Sequence, residues 1–361
     1  MNQALLRFAA LESAQVIPVV GCNAHLSLGR YLHGLGTVPA YRMLGGLLSS
    51  SLITKPSPKH SKSTYVHNEV WVHLNSSLCN SIKGNRSTYI AQHNKWDLAD
   101  FFVLLTTYRD FENKTDNEKV EVRAVINSTR YASLKTTKSF YQFIFALWKL
   151  QTKKPLYFKC TEDYLLDSLP GAEFLKRIYC LNYSMQASKW LYDYKMDNFS
   201  ESGVAHEFDL YMDEIKPEDI EFVQKMNVIR YDKAYLSKCL PATTCIRRAS
   251  DSAPITWIIA HLDYEIGAVF TVDGYKSRNL GKYAFQDVIN KTISEFTKKV
   301  SLLYDGPPPD HDYKLHMVTE MSNHSARRMI EPFGLRPVAN VSWAICTFDP
   351  QEYPNSINLT F

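Results

Sequence analysis

Apolar and polar residues trade places along residues 65–74 in the manner of a strand, and 101–105 form an unbroken apolar run that reads as a buried strand. Segments 139–150 and 171–183 read as helices, the latter with Phe174, Leu175, Ile178 and Leu181 at helical spacing. Beyond residue 203 the pattern sharpens. A strand over 208–212 is followed by Pro217, which opens a helix whose acids Glu218 and Asp219 lie near its positive end. A second helix over 232–239 stops at Leu240 and Pro241. Strands are expected over 245–247 and 255–260, then a turn at 262–264 and a strand over 265–272. After a loop comes a long amphipathic helix carrying Phe285, Val288, Ile289, Ile293, Phe296 and Val300. A strand over 314–319, a short helix over 323–330 capped by Asn323 and a last strand over 342–347 complete an α+β pattern.

Charge divides the chain into three zones. Residues 1–62 hold Arg7, Arg30, Arg42, Lys55, Lys59 and Lys62 against the single acid Glu12, and Lys55-Pro-Ser-Pro-Lys59 reads as a linker. An acid-poor, serine-rich start of this kind fits a mitochondrial leader; a non-targeting extension, a misplaced gene start and a cytoplasmic protein are the alternatives. Residues 63–202 read as a mixed α/β domain with no constellation that carries chemistry, and 203–361 as the domain that does. The 361 residues suffice for two cores. A net charge of +4 is too slight to imply nucleic acid. No apolar run reaches the length of a membrane span, so none is expected. Seven scattered cysteines without a C-x-x-C pair argue against a disulfide framework or zinc site, and for a reducing compartment. A monomer is expected.

The order strand, basic loop, long helix is the most informative feature. A helix N-terminus offers unpaired N–H groups and a positive dipole end, and here Lys276, Arg278, Gly281 and Lys282 lie on the approach to it. That suits a phosphate, although a solvated loop with basic side chains would look the same. Neither G-x-x-x-x-G-K-[ST] nor G-x-G-x-x-G is present, and G-x-S-x-G is absent as well. His311 and His316 lack the further ligands a metal needs. The pairs Arg247-Arg248 and Arg327-Arg328 read as solvated faces or phosphate neighbours.

The segment Tyr275-Lys-Ser-Arg-Asn-Leu-Gly281 resembles the pyrophosphate loop of GNAT acyltransferases. Asn323-x-Ser325 followed by Phe333-Gly334-Leu335 resembles the asparagine helix and corner of the same superfamily. The match is closer to its glycine N-acyltransferase branch, through Pro254-Ile-Thr-Trp257, Glu265, Gly267-Ala-Val-Phe-Thr271 and Tyr275-Lys276 in that order. Likeness is weaker over 65–199, where that branch carries a degenerate GNAT-like first domain, and does not reach 1–62. Ser277 and Asn279 stand where two glycines are usual, and Lys276 where arginine is.

The resemblance implies a GNAT fold in the C-terminal half, with acyl-CoA as co-substrate and no metal. It implies that the thioester lies in a V-shaped opening between two strands. Phe270, Thr271 and Val272 would pair with pantetheine, and Lys276, Ser277, Arg278, Asn279, Leu280, Gly281 and Lys282 would hold the pyrophosphate, with Asn323 nearby. Glu265 would take the proton from a small amine such as glycine, its pKa raised by partial burial beside Tyr264 and His261. Read without the resemblance, Glu265 is a surface carboxylate and Asn323 only a helix cap. A protein N-acetyltransferase and a catalytically silent acyl-CoA-binding scaffold are the competing functions.

Overall fold

A computed structural model of the chain describes residues 16–18, 22–48, 64–74, 96, 99–110, 119–126, 140–145, 147–148, 154–167, 169–194, 198–227, 229, 231, 233–309 and 312–349. The strands are β1 (Val16–Pro18), β2 (Thr64–Leu74), β3 (Ala99–Asp110), β4 (Lys119–Ile126), β5 (Leu156–Glu162) and β6 (Ala172–Gln186). They continue as β7 (Leu210–Asp213), β8 (Thr243–Arg248), β9 (Pro254–Ala260), β10 (Glu265–Thr271), β11 (Lys314–Glu320) and β12 (Arg336–Phe348). The helices that matter below are α1 (Cys22–Leu35), α2 (Val38–Leu48), α3 (Ile220–Met226), α4 (Lys233–Cys239), α5 (Leu280–Ser301) and α6 (His324–Ile330). Among the described residues no helix is long and apolar enough to cross a membrane.

These residues form two compact units, and neither is a continuous stretch of chain. One comprises the described residues within 1–35, 46–180 and 340–361, the other those within 36–45 and 181–339. In the first unit the strands run in the order β1-β2-β3-β4-β5-β12. The apolar run of β3 is buried on both faces, which is why it does not alternate. Phe101, Val103 and Leu105 pack with Phe140, Phe143 and Ile144, while Phe102 meets Tyr31 of α1 at 5.7 Å and Trp96 at 6.4 Å.

The second unit orders its strands β6-β11-β10-β9-β8-β7, antiparallel from β7 through β10 and parallel between β10 and β11. On one face Ile220, Val223, Leu236 and Cys239 of α3 and α4 pack against Cys245, Trp257 and Ile259. On the other, α5 lies along β8, β9 and β10 and buries Phe285, Val288, Ile289, Phe296 and Val300. Each such side chain contributes on the order of 1.5–3 kcal/mol of transfer free energy. The 3.6-residue periodicity of this helix is therefore the imprint of a covered sheet face.

Two expectations are corrected. Residues 171–183 are not helical but belong to β6, with Leu175 55% exposed, so the helical spacing of its apolar residues is incidental. The segment carries the aromatic residues Phe174, Tyr179 and Tyr183, and between Asn182 and Met185 it is buried at neighbouring positions as a central strand is. Arg247 is no solvated face: it is buried and bonds Asp213 at 2.7 Å, Asp219, and the carbonyls of Glu214 and Ser252. Within the first 62 residues, Cys22–Leu35 and Val38–Leu48 are helices with buried faces, including Leu28, Leu32, Tyr41, Met43, Leu44 and Leu47.

Candidate active site

Glu265 opens β10 at the one place where that strand pairs with β11: Glu265 lies opposite His316 and Ile266 opposite Met317. One residue later a bulge interrupts the β9 pairing between Gly267 and Phe270, with Ala268 at φ 50°. A bulge adds a residue to one strand and strengthens its twist, so β10 follows β9 to Thr271 while its register with β11 ends at Ile266. Burial falls accordingly, from buried at Glu265 and Ile266 to intermediate from Gly267 to Thr271. The two strands thus part from a short paired foot, as the expected V-shaped opening requires. Val272 gives its N–H to Ile255 at 2.9 Å, so that group is taken; alternation turns the peptide groups of Thr271 the other way, toward the opening.

Glu265 is 2% exposed and is no surface carboxylate. Its Oε2 lies 3.3 Å from Arg42 Nε of α2, and Arg42 Nη2 donates to Asn182 Oδ1 of β6 at 3.0 Å. Sequence reasoning anticipated burial beside Tyr264 and His261 and missed this guanidinium. The signal available was a lone charge in the helix VPAYRMLGGLL, since a charged group among apolar neighbours needs a buried partner. Close approach of α2 depends on Gly45, where a Cβ would sit 2.7 Å from the backbone of Asp263.

His316 stands beside Glu265 on the same sheet face and is fully buried. Its Nδ1 lies 3.1 Å from the Lys314 carbonyl, which can only accept, so Nδ1 carries the proton and Nε2 the lone pair. Nε2 is buried without a hydrogen-bond partner. Burial, then the nearby Arg42 charge, pushes the imidazole down to about 4, so it is neutral at physiological pH. Behind this pair, Tyr235 Oη and His261 Nδ1 lie 2.9 Å apart, and Gly267 passes so near His261 that a Cβ would meet its Nε2 at 2.7 Å.

The loop after β10 leads into the N-terminus of α5. Gly274, Ser277 and Asn279 take φ of 88°, 63° and 61°, so the two residues in place of glycines hold the left-handed backbone that glycine would favour. Lys276 pairs with Asp273 at 2.7 Å, and Arg278 lies over the Phe208 ring at 4.0 Å. Leu280 is buried, Lys282 exposed, and Gly281 abuts Met329 of α6. Asn323 is exposed and caps α6, accepting from the Ala326 N–H at 3.0 Å. Phe270 faces inward, stacked on Trp257 at 4.7 Å. Glu265 and this loop stand at opposite ends of β10, about 20 Å apart at roughly 3.3 Å per residue.

A cleft of about 730 Å³, lined by Phe199, His206, Asp209, Tyr211 and Tyr283 among others, lies between β7 and α5. It is three strands from Glu265 and no part of the opening. Burial pushes the thiols of Cys245 and Cys346 up to about 12, far from a reactive thiolate. Among the described residues no group of three His, Cys, Asp or Glu could hold a metal; His311 lies outside them.

A meander leading into a strand that parts from its parallel neighbour, followed by a loop and a long helix, is the arrangement of the GNAT fold. The second unit carries that fold and the first is mixed α/β and GNAT-like. The chain is similar to a Drosophila protein of known crystal structure, at 11% identity and TM-score 0.57 over 93% of this chain and 99% of that one. It is also similar to a tandem GNAT protein from the clavulanic acid biosynthesis pathway, at 11% identity and TM-score 0.50 over 92% and 97%. No model of a known protein family matches the chain. No curated protein matches it either.

Proposed function

We propose that the protein is an acyl-CoA-dependent N-acyltransferase that transfers an acyl group to glycine or another small amine by direct attack. The observation that carries this reading is the buried carboxylate of Glu265 at the foot of the opening between β10 and β11. Thr271 offers its backbone to pantetheine there, and the α5 terminus with Lys276, Arg278 and Lys282 suits the pyrophosphate. An ammonium entering beside Glu265 gives its proton to the carboxylate, and the freed amine attacks the thioester carbon. The tetrahedral adduct then expels the CoA thiolate, which takes the extra proton carried by the adduct's nitrogen, and Glu265 returns its own proton to solvent. A base in this role contributes about a hundred- to ten-thousand-fold. The catalytically silent alternative rested on Ser277 and Asn279, and their positive φ weakens it, because the loop keeps its glycine-like path.

The test is free-thiol release from acetyl- and benzoyl-CoA with a panel of amino acids and amines. Amine-dependent release, lost in Glu265→Gln with CoA binding by calorimetry intact, supports the reading. Silence with acyl-CoA still bound points to a protein acceptor or a scaffold, and silence without binding removes the central claim. A mitochondrial site of action is a separate proposal resting on the acid-poor residues 1–62, and cell fractionation decides it.

A further inference from the structure

We infer that Arg42 is a positioning residue for Glu265, so that residues 36–45 belong to the catalytic unit rather than to a separable leader. The inference rests on the acyltransferase reading above, and its test separates the two.

Arg42 is the only charged residue of α2, and its side chain is 6% exposed against 3% for Glu265. Taking a guanidinium and a carboxylate out of water is costly, and the cost is recovered only by close pairing with further hydrogen bonds. An apolar helix would gain more from leucine at this position, so packing alone gives no reason for an arginine. Its reach is fixed from both sides. Nη2 is held by Asn182 of β6, while Nε lies 3.3 Å from Glu265 Oε2 as an ion pair, and the planar guanidinium ties the two positions together. The helix itself is seated by Gly45 against Asp263 and by Tyr41, whose ring meets Phe296 at 5.6 Å and Tyr313 at 5.5 Å edge-on.

Three elements therefore meet at one carboxylate, α2, β10 and β11, and β6 reaches it through Arg42. Among the described residues, the titratable groups close to it include Arg42 from α2, His316 from β11 and Asp263 from the turn between β9 and β10. With His316 neutral, the positive charge among these groups is that of Arg42. It lies beside Oε2 and favours the charged form of the carboxylate over the neutral one. If a leader is removed from this chain, its removal has to stop short of residue 36.

The experiment uses the full chain and amine-dependent thiol release followed from about pH 5 to 9. Arg42→Met should lower kcat/KM at neutral pH about tenfold or more and move the acid limb of its pH profile upward by about one unit. Arg42→Lys should bring the limb back, because it restores the charge, while kcat stays reduced for want of the forked geometry. An active wild type with an unmoved limb, or activity falling only in step with thermal stability, overturns the positioning role. A wild type silent with every amine overturns the small-amine acyltransferase reading on which this role rests, and the role with it. Should Arg42→Met fold poorly, thermal midpoints of Arg42→Met, Glu265→Gln and the double variant decide: a paired site makes the double less unstable than the sum, and strict additivity overturns the inference.

Discussion

Two buried arginines in the second unit hold carboxylates in opposite ways. Arg247 is enclosed by two aspartates and two backbone carbonyls, every partner within 35 residues in sequence, and joins β7, β8 and the turn before α3. Arg42 reaches across 140 residues to Asn182 and further still to Glu265, and the imidazole beside its partner keeps an empty Nε2. Arg247 sits in a site closed by local bonds on all sides. The Arg42 site is assembled from distant segments and borders the parting strands. A saturated ion pair fastens a fold, whereas a carboxylate paired at a strand divergence is placed for chemistry.

Glu265→Gln is the sharpest way to break that contrast, with a loss of about a hundred- to ten-thousand-fold in kcat/KM and CoA affinity retained, read by thiol release and calorimetry. Next comes Arg247→Met, which strands Asp219 and Asp213 and should cost about 3–5 kcal/mol in urea unfolding while the folded enzyme keeps its kcat/KM. A loss of activity in the folded Arg247→Met protein would mean that the two sites are not separate. His316 supplies a smaller effect with a definite sign. Its folded pKa, about 4, lies below the ordinary 6.5, so its contribution is present above 6.5 and disappears as pH falls through 4. Wild-type stability should drop by up to about 3 kcal/mol more than that of His316→Gln over this window, by urea unfolding at a series of pH values. Smallest is Ser277→Gly with Asn279→Gly, which relieves two left-handed residues by about 1 kcal/mol each and should tighten or leave unchanged acyl-CoA binding in calorimetry. A weaker complex would mean that these side chains themselves hold the ligand.

Much of the second unit was legible in the sequence because its signals are local. The short strands β8 and β9, the turn before Glu265 and the long amphipathic period of α5 all stand where the local pattern put them, and Asn323 caps α6 as its position suggests. β6 was not legible: Phe174, Leu175, Ile178 and Leu181 fit a helix, and only the strands on either side make the segment extended. Glu265 could be singled out from its motif neighbours, yet its guanidinium could not, because no local period links residue 42 to residue 265. Arg247 was misjudged for a related reason. A pair of adjacent arginines looks solvent-facing until β-alternation sends one inward to Asp219 and the other outward to Asp251.

The interleaving of the two units also bears on how the chain is made. The first unit needs β12, where Ala344 lies opposite Phe158 and Cys346 opposite Leu156, and the second needs both α2 and the strands up to residue 339. A ribosome delivers residues from the N-terminus at about 5–20 per second, and domains of ordinary proteins close one after another as they emerge. Here neither unit can close early. Apolar α2 and the buried faces of β3 wait through most of translation for partners not yet synthesised, so nascent chains should depend on chaperones throughout, and truncation near residue 330 should leave both units unfinished rather than one.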